Sequence, residues 1–104
     1  MKPLKMKRIT VNTPLNYCDA VREALGRAGA GRISSYSFCS FSHMGVGRCL
    51  PNESAKPFNN SNQEKEERIE SFCSEGELIE IIQSVKKAHP YEEPVISVSD
   101  VDFY

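Results

Sequence analysis

Polar and apolar residues alternate across Lys5–Val11, where Ile9 and Val11 are interleaved with Arg8 and Thr10. This predicts a short strand with one buried face. Thr13 offers a helix N-cap with Pro14 at the first helical position. Leu15, Cys18, Val21, Leu25 and Ala28 then recur at helical spacing, with Asp19, Arg22, Glu23 and Arg27 turned to water. Gly29 and Gly31 end this helix. The aromatic- and serine-rich run Ile33–His43 predicts a second strand, which Gly45-Val46-Gly47 is expected to break. A polar loop over residues 49–63 holds Pro51, Pro57 and four asparagines, Asn52, Asn59, Asn60 and Asn62. Alternation resumes over Glu66–Cys73, with Glu67, Ile69, Ser71 and Cys73 on one side. Ser74 and Glu77 have capping-box spacing. Leu78, Ile81, Ile82, Val85 and Ala88 form a second helical stripe that His89-Pro90 stops. Val95–Val101 supplies a fourth strand. The order βαββαβ describes two split βαβ units, whose right-handed crossovers put both helices on one face of an antiparallel sheet. The expected class is α+β, ferredoxin-like.

At 104 residues the chain has the size of one domain, 1–104, with its core over about 5–101. The net charge of −1 and the scattered basic residues exclude a phosphate-seeking surface, so no nucleic acid partner is expected. No apolar run is long enough to span a bilayer, so no membrane partner is expected either. Met1–Arg8 is basic but lacks the apolar run of a signal peptide. Cys18, Cys39, Cys49 and Cys73 therefore read as free thiols of a cytoplasmic protein. They form no CxxC pair, which disfavours finger-type zinc, and no cofactor is implied.

Three clusters carry chemistry. Ala88-His89-Pro90-Tyr91-Glu92-Glu93-Pro94 packs an imidazole, a phenol and two carboxylates between prolines. It serves either as a ligand or acid–base site or as a helix-to-strand connector with His89 on the last helical carbonyls. Gly29-Ala30-Gly31-Arg32-Ile33 with Ser34 to Ser40 offers flexible backbone, a cation and hydroxyls that could cradle an anion, or simply a C-cap and turn. Cys39 has no base fixed beside it in sequence. Phe41–Arg48 reads as a hairpin-like arm, and the cysteines with His43 and His89 as either a dispersed soft-metal set or ordinary core thiols.

Taken together, Gly29–Ile33, Tyr36–Ser42, Gly45–Arg48, Pro57-Phe58, Glu67–Glu70 and above all His89–Pro94 resemble the PII/CutA-like domain inserted in bacterial NGG-interacting-factor-three-like (YqfO-type) proteins. The resemblance runs from about Lys5 to Val101, and departs from the family at Phe38, commonly His, and Asn60, commonly Gly. It implies a stand-alone insert domain without the flanking halves that carry the family's dinuclear metal site. The hydrolase activity suspected for the full-length family is therefore not carried over. Related PII and CutA proteins are trimers with effector clefts between subunits, so a homo-oligomer is expected, trimer ahead of dimer.

The combined expectation is a small-ligand-binding or regulatory module without catalytic or metal residues. Its cleft would be lined by Gly31, Arg32, Ser37, Cys39, His89, Tyr91 and Glu92, taking a small anion at Arg32 or a divalent cation at His89. The alternatives are a ligand-free protein-interaction domain and, last, an enzyme related to metal-dependent hydrolases. Phe38, Phe41, Phe72 and Phe103 are the expected apolar surface for assembly.

Overall fold

A computed structural model describes all 104 residues, Met1–Tyr104. The elements run β1 (Leu4–Pro14), α1 (Cys18–Ala28), β2 (Phe41–Arg48), β3 (Gln63–Cys73), α2 (Leu78–Ala88) and β4 (Ile96–Phe103), with short 3-10 turns before each helix. The four strands form one antiparallel sheet in the order β2-β3-β1-β4. This is the α+β, ferredoxin-like arrangement that the βαββαβ pattern predicts.

Pairing fixes the two faces. Ile9 lies opposite Ser71 and Val98, and Val11 opposite Ile69 and Ile96. Ile9, Val11, Ile69 and Ile96 meet Val21 and Leu25 of α1 and Ile81 and Val85 of α2 in a core that also takes in Cys18, Ala30 and Cys73. Both helices therefore cover one face. The other carries Leu4, Met6, Arg8, Thr10 and Asn12 of β1, with their partners on β3 and β4. Phe41, Phe72 and Phe103 stand on this uncovered face, Phe72 and Phe103 edge-to-face at 4.9 Å.

The helix ends follow local chemistry. Gly29, at φ 114°, caps α1, and the Gly29 and Ala30 amides donate to the Gly26 and Leu25 carbonyls. The Ser74–Glu77 capping box forms as expected, with Ser74 Oγ donating to Glu77 Oε1 at 2.8 Å.

Three expectations need correction. Thr13 does not cap α1, because it remains in the β1–β3 ladder opposite Glu67 with its side chain fully buried. Pro14 accordingly ends β1, and α1 starts at Cys18. The second strand is Phe41–Arg48 instead of Ile33–His43. Residues 32–40 form a loop with a tight turn between Ile33 and Tyr36, and with Ser34 and Phe38 at positive φ. Gly45 and Gly47 lie inside β2 and do not break it. A Cβ on Gly47 would lie 2.0 Å from Glu66 Oε1, so glycine here marks the close approach of a side chain. Phe38 is exposed as expected but stands apart from the sheet face, its ring over α1 in the space that a Gly26 side chain would occupy.

Gly31 is the tightest backbone position. It has φ 81°, its amide donates to the Phe72 carbonyl at 2.7 Å, and its carbonyl accepts from Cys39 N at 3.0 Å. A Cβ there would meet the Cys39 backbone at 2.3 Å. Gly31→Ala is expected to lower urea-unfolding stability by at least about 1–2 kcal/mol. Gly76→Ala, where a Cβ meets nothing, should stay within about 0.5 kcal/mol of the parent.

Candidate functional site

The His89–Pro94 segment is built around one imidazole. Because Pro90 follows, His89 leaves the helix with extended backbone, φ −84° and ψ 137°. Its ring is buried beside β1. Nδ1 accepts the Tyr91 amide at 3.2 Å, so the proton resides on Nε2, which donates to the Asn12 carbonyl at 2.7 Å. Burial lowers the pKa of His89 below 6.5, more than the Asn12 carbonyl and the Glu66 carboxylate raise it. The ring is thus a neutral anchor tying the end of α2 to β1.

That anchor aims Tyr91 at the uncovered face of the sheet. Tyr91 Oη donates to Glu66 Oε2 at 2.7 Å, and Glu66 is only 7% exposed. Burial and the Glu66 carboxylate together raise the Tyr91 pKa far above its usual value, so the phenol stays protonated. His89, Tyr91, Phe58 and Tyr17 form a row of rings with successive centroid separations of 4.7, 5.5 and 5.7 Å. The row holds the β2–β3 loop against the start of α1. Glu92 Oε1 accepts the Lys56 amide at 2.9 Å, and Asn59 Nδ2 donates to Glu64, so the loop is fastened at three points.

These contacts enclose a cleft of about 410 Å³ between the β2–β3 loop and the Tyr91–Val95 segment. Glu66 and Gly47 lie at its floor, Leu50, Pro57, Phe58 and Val95 supply apolar wall, and Arg48, Lys56, Glu64, Glu92 and Glu93 surround it. Of the seven residues expected to share a site, Tyr91 and Glu92 line this cleft and His89 supports it from behind.

Gly31, Arg32, Ser37 and Cys39 sit elsewhere. Gly31 bonds to Phe72, which pairs with Arg8, whereas His89 bonds to Asn12, four residues further along β1. At about 3.3 Å per residue the groups are roughly 13 Å apart along the sheet. Both Gly31 backbone groups are already engaged, and the Cys39 carbonyl accepts from Ser71 Oγ at 2.8 Å. Arg32 is largely exposed, 3.9 Å from Glu77, and Ser37 is exposed. One chain brings three of the seven together at the cleft and leaves four at the opposite end. No group of three or more His, Cys, Asp or Glu side chains is placed to hold a metal ion. Cys18 and Cys73 are core thiols whose pKa values burial raises.

Glu66, Gly47 and Phe58 are the cleft residues that sequence reasoning missed as site residues. The signal for Glu66 and Gly47 lay in the pairing of β2 with β3, which sets a Gly-Val-Gly stretch opposite Glu64-Lys65-Glu66, whereas Phe58 lies in the loop between them.

A four-stranded sheet covered on one face by two helices, with a long β2–β3 loop closing on the segment after α2, defines a PII-like domain of the ferredoxin-like class. No family model matches the sequence. The proteins called GTP cyclohydrolase 1 type 2 homolog do. That of Halalkalibacterium halodurans is 41% identical over 91 residues, covering 84% of this chain and 24% of that protein. That of Bacillus subtilis is 38% identical over 101 residues, covering 93% and 27%. A crystal structure of a Bacillus cereus protein related to NIF3 superposes with a TM-score of 0.83 at 35% identity, over 97% of this chain and 27% of that one. A PII-like signalling protein of Thermus thermophilus superposes at 0.61 with 18% identity, over 98% and 92%. The Bacillus subtilis GlnK–ATP complex does so at 0.64 with 15% identity, over 93% and 82%; these two share the fold. The chain is a homologue of the PII-like segment of the NIF3-related proteins. It spans about a quarter of the length of the curated relatives it matches. No helix is long and apolar enough to cross a membrane.

Two outcomes follow from this geometry. The folded-state pKa of His89 is depressed, so its contribution to stability is complete above the unfolded value near 6.5 and declines as pH falls towards the folded value. Denaturant titrations from pH 7.5 to 5 should show this decline, and His89→Gln should flatten it. Tyr91→Phe leaves a buried carboxylate without its donor and should cost about 1–3 kcal/mol by the same assay.

Proposed function

We propose that the chain is a small-ligand-binding regulatory module of the PII-like type, acting as a homo-oligomer, trimer ahead of dimer, and without catalysis of its own. The observation that carries this reading is the cleft of about 410 Å³ with a buried carboxylate at its floor. That volume falls in the usual range of small-molecule sites, about 300–1,000 Å³, and its mainly apolar wall with a few fixed polar groups is their usual make-up. Structures of the same fold include GlnK with ATP and the Thiomonas intermedia protein CPII with ADP, AMP and acetate, which supports a small-ligand role. A non-catalytic role is supported by the engagement of His89 and Tyr91 in holding the loop.

Assembly is supported by the uncovered sheet face, where Phe41 is 67% and Leu4 58% exposed beside Phe72 and Phe103. In such an oligomer the Arg32–Cys39 loop of one copy can meet the His89–Glu92 segment of another, which is how all seven sequence-predicted residues would share one site. Four free thiols suit a reducing compartment, in line with a cytoplasmic protein. A single core that draws on both helices and the sheet supports one domain over the whole chain.

A second reading is a ligand-free protein-interaction domain. The observation favouring it is edge strand β2, which exposes Phe41, Met44 and Val46 along one stretch.

Native mass spectrometry of protein purified without added metal is expected to give a closed oligomer. Thermal denaturation against nucleoside phosphates, divalent cations and small organic amines should identify a stabilising class, since a ligand at 100 times its Kd adds about 2.7 kcal/mol. A monomer whose Tm no compound moves would sink the ligand-binding reading in favour of the interaction domain.

A further inference from the structure

The cleft's charge and shape carry the reading one step further. Four carboxylates, Glu64, Glu66, Glu92 and Glu93, border it against two cations, Arg48 and Lys56. Glu92 accepts the Lys56 amide on Oε1 and Glu64 accepts Asn59 Nδ2 on Oε2, so each of them, like Glu66, has one oxygen engaged within the protein, but neither is buried. Glu66 differs from both. It is only 7% exposed, Tyr91 donates to Oε2, and Oε1, which takes no donor from the protein, occupies the space that a Gly47 side chain would fill at the edge of the cleft. An acceptor oxygen on a residue more than nine-tenths buried therefore faces the cavity without a donor. Oε1 is not among the fully enclosed polar atoms, so it can be reached from the cleft, and a ligand that donates N–H to it would add a charge-assisted hydrogen bond in a setting largely removed from water. A phosphate or carboxylate group entering the same space would meet like charge in a setting poorly screened by solvent.

We infer that the cleft selects a small ligand bearing a cationic, N–H-rich group of the amine or amidine type on a flat or apolar body, with Glu66 Oε1 as the specificity-determining acceptor. The inference rests on the ligand-binding reading above and adds its chemical class. The nitrogen group reaches the floor beside Gly47, and the body lies between Phe58 and the Leu50, Pro57 and Val95 wall. Tyr91 is a positioning residue, since its hydroxyl holds Oε2 and so turns Oε1 to the cavity.

Benzamidinium, benzamide and benzoate have nearly one shape and differ in charge, so they test the inference without altering the protein. Titrated into the ¹⁵N-labelled chain, benzamidinium is expected to shift the amides of Gly47, Glu66 and Tyr91 and to bind about tenfold more tightly than benzamide, with benzoate silent. Glu66→Gln, which keeps size and can still accept from Tyr91, should abolish the preference for benzamidinium over benzamide. Tighter binding of benzoate or ATP at those amides would overturn the chemical class while leaving the ligand-binding reading in place. An unchanged preference in Glu66→Gln would overturn the role of Glu66. Absence of cleft shifts with all three probes overturns the inference, and the reading beneath it falls as well only if the wider thermal panel is also silent.

Discussion

The hydrogen bond from His89 Nε2 to the Asn12 carbonyl is the constraint on which the cleft depends. It fastens the point where α2 becomes extended chain to the central strand, and Pro90 prevents the helix from running on. With that point fixed, Tyr91 reaches Glu66 and stacks with Phe58, while Glu92 meets Lys56. A loop of fourteen residues between β2 and β3, 49–62, would otherwise have only its own turns to hold it. The bond that Nδ1 accepts from the Tyr91 amide requires a neutral imidazole and fixes its tautomer, and burial favours that neutral form. Acid therefore acts on the loop through its anchor, and the contacts of the β-sheet core need not change.

Local chemistry made most of the fold legible. The apolar stripes of α1 and α2, the Gly29 cap, the Ser74–Glu77 box and the alternation in β1 and β3 are set by neighbours in the chain, and the structure keeps all of them. The second strand was misplaced because its determinants are non-local. Tyr36 and Phe38 have strand-like composition, yet Phe38 adopts positive φ to reach α1 at Gly26. Gly45 and Gly47 have turn-like composition, yet pairing with β3 holds them extended. Thr13 was misread for a related reason, since its place in the ladder opposite Glu67 outweighs a cap worth about 1 kcal/mol.

The candidate site was half legible. A sequence run as dense as His89–Pro94 points to its own importance, and the structure gives each of His89, Tyr91 and Glu92 a defined partner. The Gly29–Ile33 and Tyr36–Ser42 segments also carry the family resemblance, but at the other end of the sheet. There Gly31 and Cys39 bond to each other and to β3, and Phe38 packs on α1. A motif can be specific because a backbone crossing requires it. Glu66 was invisible for the opposite reason. In a strand reading Glu-Glu-Arg-Ile-Glu, its neighbours look equally exposed, and only the loop folding over the open face buries it.

Stability alone does not account for that burial. Moving a carboxylate largely out of water with a single protein hydrogen bond adds little to folding, and an apolar pair of similar size at positions 66 and 91 would not carry that desolvation. The surrounding structure is nevertheless arranged around the charge: Gly47 gives up its side chain to admit it, Tyr91 is oriented by His89 to meet it, and the loop closes beside it. Tyr91 engages Oε2 while Gly47 makes room for Oε1, so the two oxygens of one carboxylate have different surroundings beside the cleft. On the proposed reading this arrangement serves binding, since a donor entering the cleft would supply the hydrogen bond that Oε1 lacks within the protein.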